Sequence, residues 1–272
     1  FWGNLPASLA YSCVITSSFS DKSSVRIGVL DSSFNPPTSA HLQLLISAMG
    51  YSVICVILSL KLDAYLLLLS TANADKEVST ETHPGMCSFW TTAEVAVGVT
   101  CYALFLDKAI AIQQYFLQLT RQHPASHDPL SPRSSENRAE IYFILGMDTV
   151  VRFFDPKYYK DKDMKAEMTK FFKHCRIVYA NRSGYSLRAE WHTRFSAQQI
   201  TAFFETELVK PYVDHLLPIT LDSKQVAEVS STTARQLSSG ARDSNAELLK
   251  LVPGSVARYI LSNKLYAVES HL

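Results

Sequence analysis

Apolar positions along the chain fall into short runs separated by polar, proline-bearing stretches. VRIGVL (25–30) carries β-branched residues and reads as a buried strand. The polar turn DSSFNPPT (31–38) follows it directly. SAHLQLLISAM (39–49) then places apolar residues at 42, 45, 46 and 49, a helical spacing that Thr38 or Ser39 can cap. AYLLLLS (64–70), EIYFILG (140–146), CRIVYAN (175–181) and HLLPITL (215–221) read as further strands. Helices are predicted over 104–119, 147–154, 196–209, 231–239 and 253–265. The fourth is closed by Gly240 and the last begins at Pro253. Residues 72–93 read as a weakly organised polar loop, and 121–138, with three prolines, as a surface loop.

Strands alternating with helices imply an α/β fold, doubly wound around a mainly parallel sheet covered on both faces. Ligands of such folds sit at the carboxyl ends of the strands. The turns after Leu30 and Gly146 both lie there. The expected organisation is a poorly organised extension (1–22) and a single domain (23–272) with a loop insertion near 121–138. The chain starts at Phe1 rather than Met, which fits a fragment or an incomplete gene model.

The 272 residues are 47% hydrophobic and 19% charged, sufficient to bury a core of that kind. A net charge of +1 argues against a broad nucleic-acid or acidic-membrane surface, so any bound phosphate must be held by local groups. The five cysteines show no zinc-ligand spacing and are odd in number, as expected of reduced thiols in the cytoplasm or nucleus. Residues 5–19 are apolar but lack a basic leader. Polar Gln43, Ser47, Gly50, Ser52 and Ser59 interrupt the apolar stretch 42–60. Neither a signal peptide nor a membrane span is expected. Oligomeric state is open, and a homo-oligomer is compatible with the sequence.

Two constellations carry chemistry. In the first, Ser32, Ser33, Phe34, Thr38 and His41 share a strand-to-helix turn. Backbone N–H groups, hydroxyls and an imidazole can meet an anion there, beside a helix N-terminus. A proline-rich turn with a histidine that merely packs is an equal reading of the same residues. In the second, Val229-Ser230-Ser231-Thr232-Thr233-Ala234-Arg235 puts hydroxyls at a helix start and an arginine one turn inside, able to reach the same anion. An ordinary Ser/Thr cap with a surface arginine gives the same pattern.

Taken together, SSFNPPTSAHL (32–42) and VSSTTAR (229–235) resemble the paired signatures of the nucleotidylyltransferase superfamily, in its nicotinamide mononucleotide adenylyltransferase branch. The branch has G-S-F-N-P-x-T-x-x-H-L early and I-S-S-T-x-x-R late. Gly146-Met147-Asp148 with FFDPKYY (153–159) is similar to its G-x-D…P-x-x-W segment. The wording LDSSFNPPT, LLLLSTANADK and DPKYY resembles a fungal subgroup. This resemblance implies a Rossmann-like fold and transfer of AMP from ATP to nicotinamide or nicotinic acid mononucleotide (NMN or NaMN), with Mg²⁺ accompanying ATP. It implies that His41 and Thr38 serve catalysis. Ser32, Ser33, Phe34, Ser231, Thr232 and Arg235 would hold ATP phosphates. Gly146, Asp148, Tyr158, Tyr159 and Arg182 would hold the mononucleotide, Tyr159, with Tyr158 beside it, standing where the family stacks tryptophan on the pyridine ring. Asp148 also reads as a simple helix cap, and Arg182 and Lys76 as solvated cations.

Ser32 replaces the first glycine of the family motif. Residues 82–100 share little with the family, and 1–20 and 50–62 look foreign to it, as retained intron or mis-joined exon sequence would. Two rival functions follow. One is nucleotidyl transfer using cytidine triphosphate or a phosphopantetheine acceptor. The other is a degenerate ATP-binding or ATP-hydrolysing member acting in protein quality control.

Overall fold

The computed structural model describes residues 9–12, 25–49, 62–71, 84–90, 95–122, 139–160, 162–180, 196–219, 229–239 and 245–266. Among them are strands β1 (Leu9–Ser12), β2 (Val25–Ser32), β3 (Ala64–Ser70), β4 (Val95–Thr100), β5 (Ala139–Gly146), β6 (Cys175–Ala180) and β7 (Leu216–Ile219). The helices are α1 (Ser39–Ala48), α2 (Pro84–Cys87), α3 (Phe105–Gln122), α4 (Met147–Phe153), α5 (Met164–Phe172) and α6 (Ala197–Phe204). They continue with α7 (Ser231–Ser238), α8 (Asn245–Leu251) and α9 (Gly254–Ser262).

The strands form one sheet in the order β1-β4-β3-β2-β5-β6-β7. Strands β2 to β7 run parallel, and β1 closes the edge antiparallel to β4. The parallel part follows the doubly wound order, in which the chain leaves β2 first toward β3 and later crosses to β5. The expected fold class is therefore the observed one.

Period-two alternation divides the core between the two faces of the sheet. Val25, Ile27, Val29, Leu66, Leu68, Ile141 and Phe143 face α3, α4 and α5 in one cluster. Leu30, Tyr65, Leu67, Leu69, Tyr142 and Ile144 face α1 and the α2 segment in the other. At Gly28 a Cβ would meet Tyr65 Cδ1 at 2.8 Å and Leu62 Cδ1 at 2.9 Å, so only glycine lets that ring lie against β2. Cys87 and Cys175 are buried and unbridged, and burial pushes both thiols up to about 12.

Five strands and helices depart from the expectation. Within the predicted 72–93 loop, α2 and the 3-10 turn Ser88–Trp90 bury Met86, Cys87 and Trp90. Within the unfamiliar stretch 82–100, β4 pairs with β3 along its whole length. Its residues VAVGVT are small and apolar, enough for an inner strand that needs no bulk on either face. Residues 9–12, inside the predicted N-terminal extension, form the edge strand. The unpredicted α5 buries Met168, Phe171 and Phe172, and the unpredicted α8 buries Leu248. Most of the predicted 121–138 loop, together with Arg182 and Lys76, lies outside the described residues. No described helix is long and apolar enough to cross a membrane.

Candidate active site

The turn after β2 is built around two backbone demands. Phe34 adopts a left-handed conformation (φ 43), and its side chain is 1% exposed. That conformation costs about 1–2 kcal/mol for a residue with a Cβ, whereas burying a phenylalanine returns about 1.5–3 kcal/mol. The ring therefore anchors the turn, 6.4 Å from Trp90 and 5.1 Å from the imidazole of His41. The following Asn35–Pro36 peptide is cis.

His41 stands at the third position of α1, where a capping box usually carries Glu or Gln. The N–H of Thr38 donates to its Nδ1 at 3.0 Å, and the Thr38 hydroxyl lies 2.8 Å from the same atom. A backbone N–H can only donate, so Nδ1 is an acceptor and the imidazole proton sits on Nε2. Nε2 is 3.0 Å from Ser32 Oγ, which also accepts weakly from the Phe34 N–H at 3.4 Å. Ser32 is thus the partner of the histidine. Thr38 is itself buried and orients the ring.

The late motif docks on this turn. Ser230 caps α7 by accepting from the N–H of Thr233 at 3.1 Å. Ser231 Oγ donates to the Pro36 carbonyl at 2.9 Å across 195 residues of sequence. Arg235 donates from one terminal nitrogen to the Asn35 carbonyl at 2.5 Å, across 200 residues, and from the other to Thr232 Oγ1 at 3.2 Å. A third piece of chain arrives after α9, where Lys264 and Tyr266 have left-handed backbones and the Tyr266 hydroxyl donates to Asn35 Oδ1 at 2.5 Å. The two predicted constellations therefore form one structure.

The third predicted group sits beside them, across the switch point. Leu30 and Ile144 are register partners, and two residues farther on the chains reach Ser32 and Gly146. Gly146 precedes α4, and a Cβ there would lie 2.7 Å from Asp148 Oδ1, so the carboxylate folds back over the glycine. Arg152 holds Asp148 Oδ2 at 2.7 Å. Of the two tyrosines, Tyr159 is packed: its hydroxyl donates to the Phe153 carbonyl at 2.9 Å. Burial, assisted by Glu167, raises its phenol above the ordinary tyrosine value. Tyr158 is half-buried, with the Lys157 ammonium 4.6 Å from its ring centre.

No protein-family model matches the chain. A curated Schizosaccharomyces pombe protein named "Putative nicotinamide mononucleotide adenylyltransferase" is 32% identical over 163 residues, covering 57% of this chain. The chain resembles a nicotinamide mononucleotide adenylyltransferase. The match spans 53% of that relative's length. Among solved structures, a Plasmodium falciparum nicotinic acid mononucleotide adenylyltransferase complexed with NaAD superposes with a TM-score of 0.49 and 14% identity. It covers 89% of this chain and 97% of that one. The same enzyme complexed with APC gives a TM-score of 0.49 and 13% identity over the same shares.

Three contributors to the site carry no local signature: Tyr266, Ser70 and Lys108. The last two bind Asp31, the residue before Ser32, at 2.6 Å each. Lys108 resembles any helical lysine until α3 is seen to press it against the end of β2.

Proposed function

We propose that the chain is a nucleotidylyltransferase that transfers AMP from ATP to nicotinamide or nicotinic acid mononucleotide, releasing pyrophosphate. The observation that carries this reading is the docking of Ser231 and Arg235 onto the carbonyls of Pro36 and Asn35. It assembles the two motifs of the resemblance into one surface at the carboxyl end of the sheet.

In this reading a 5′-phosphate oxygen of the mononucleotide attacks the α-phosphorus of ATP in line. The bond from that phosphorus to the bridging oxygen of pyrophosphate breaks. The enzyme positions the reactants and stabilises charge on the phosphate oxygens. His41, with its proton on Nε2, exchanges the Ser32 hydroxyl for a phosphate oxygen as acceptor. The N–H groups of Ser33 and Phe34 and the start of α7, with Thr232 and the unused donors of Arg235, face the remaining phosphates. Magnesium would accompany ATP as part of the substrate and would neutralise phosphate charge; no residue of the chain is assigned to hold it. Gly146, Asp148 and Tyr158 receive the mononucleotide, and Tyr159 supports them from the core. Arg182, two residues past the end of β6, is assigned to the mononucleotide phosphate from the resemblance alone.

The test is an enzyme-coupled measurement of NAD formed from NMN and ATP with magnesium, run in parallel with NaMN. Dinucleotide and pyrophosphate appearing in equal amounts are expected. ATP binding without dinucleotide from either acceptor would sink the reading in favour of a non-transferring ATP-binding protein.

A further inference from the structure

The last turn of β2 carries a charge that the transfer chemistry does not use. Asp31 Oδ2 lies 2.6 Å from Lys108 Nζ, and the two side chains are 8% and 4% exposed. The other carboxylate oxygen accepts from Ser70 Oγ at 2.6 Å. Both oxygens are therefore held, one from α3 and one from β3. The Lys108 ammonium also lies 4.9 Å from the centre of the Phe105 ring.

This arrangement is poor as a stabilising device. Lys108 is the fourth residue of α3, and the positive end of a helix disfavours a cation there. Burial disfavours either charge, and a buried pair contributes little beyond what apolar side chains of equal volume would. What the pair does is fix the end of β2. The next residue is Ser32, whose hydroxyl meets His41 Nε2 at 3.0 Å. One peptide unit thus separates a carboxylate clamped by two elements from the atom that aims the imidazole.

We propose that Asp31 and Lys108, with Ser70, are positioning residues that set the direction of the His41 Nε2–H bond. The role in turnover rests on the adenylyl-transfer reading above; the geometric role does not. The clamp holds β2 against β3 and α3, which keeps Ser32 under the imidazole until a phosphate oxygen takes its place. Misplacing a reacting group by an ångström costs about 10²-fold in rate, so loss of the clamp acts on kcat rather than on ATP binding.

The test pairs Asp31→Leu with Lys108→Met, removing both charges together so that neither is left buried alone. Ser70→Ala serves as a milder second variant. Three quantities are measured on the whole chain: the melting temperature, kcat and ATP affinity, and the ¹⁵N resonances of the His41 ring. For the double variant a retained fold and little-changed ATP affinity are expected, with kcat lower by about 10²-fold. The Nε2–H signal should shift or exchange faster than in the parent. A folded double variant with parental His41 resonances overturns the proposal, as does unchanged kcat in a parent that turns over. If the parent makes no dinucleotide, the functional reading falls alone and the ring resonances still decide the clamp. If the double variant does not fold, Ser70→Ala decides: a smaller displacement of the same resonances is expected, and identical resonances overturn the proposal.

Discussion

His41 has one ring nitrogen committed to the protein and the other presented to a hydroxyl that a ligand oxygen can replace. Because Thr38 N–H saturates Nδ1, the proton on Nε2 is available without any change of tautomer. Replacing His41 with Ala should lower kcat by about 10²–10³-fold, the usual cost of one preorganised donor to developing charge. Steady-state kinetics beside a thermal melt check this, the melt showing that the fold survives. Gly146 offers a probe of the other half. Its backbone (φ −77, ψ 153) is ordinary for any residue, yet a Cβ would strike the Asp148 carboxylate. Gly146→Ala should therefore leave the melting temperature nearly unchanged. It should raise the Michaelis constant for the mononucleotide severalfold, while that for ATP stays constant. Equal changes in both constants would show that Asp148 does not serve the mononucleotide.

At the scale of elements, the site is a junction. The α7 N-terminus is fastened to the β2–α1 turn by two carbonyl contacts, so its substitutions affect docking as well as, on the proposed reading, ligand binding. Ser231→Ala should destabilise the protein by about 1 kcal/mol, the net worth of one hydrogen bond, as read from denaturant unfolding. Arg235→Lys keeps the charge but loses the fork that spans Asn35 and Thr232. The ATP Michaelis constant is expected to rise about tenfold, the equivalent of one charge-assisted contact.

This is also the scale at which the limits of sequence reading are plainest. Strands β2, β3, β5 and β6 were legible because inner parallel strands are apolar on both faces, and LLLL or IYFIL admits few other readings. Strand β4 was not, because VAVGVT is small and lies in unfamiliar sequence; its identity comes from pairing with β3. The candidate site around His41 and Arg235 was legible as two motifs because its residues crowd into two short segments. Asp31, Ser70, Lys108 and Tyr266 were not, since each acts through a partner 39 to 231 residues away. The packed hydroxyl of Tyr159 depends likewise on a fold that spacing alone does not convey.

Across the whole molecule, the two ends of the sheet have different tasks. The carboxyl ends carry the candidate site. Glu140 and Arg176, near the amino ends of β5 and β6, form an ion pair at 3.5 Å. They share their surroundings with His215, which precedes β7 and whose ring stacks 5.2 Å from that of Phe172. Its Nδ1 is buried without a hydrogen bond among the described residues. Burial first, and then Arg176, hold its pKa below the usual 6.5, against smaller opposing effects of Asp214 and Glu140. The unfolded chain therefore binds a proton that the folded one refuses in the window just below pH 6.5. This contribution to stability is complete above that value and fades as pH falls through the folded pKa. The melting temperature should decline on acidification from pH 7 to pH 5.5, and His215→Gln should flatten that decline. Because the group is remote from the carboxyl ends, the acid dependence of kcat should be unaltered in the same variant.

The hydroxyl that Tyr266 lends to Asn35 has a bearing on how the protein is made. A chain emerging from the ribosome can pair β2 with β3 early. The grip on the turn after β2 is finished only once residue 266 has cleared the exit tunnel. Nascent chains stalled short of that point should fold their sheet and yet, on the proposed reading, fail to retain nucleotide.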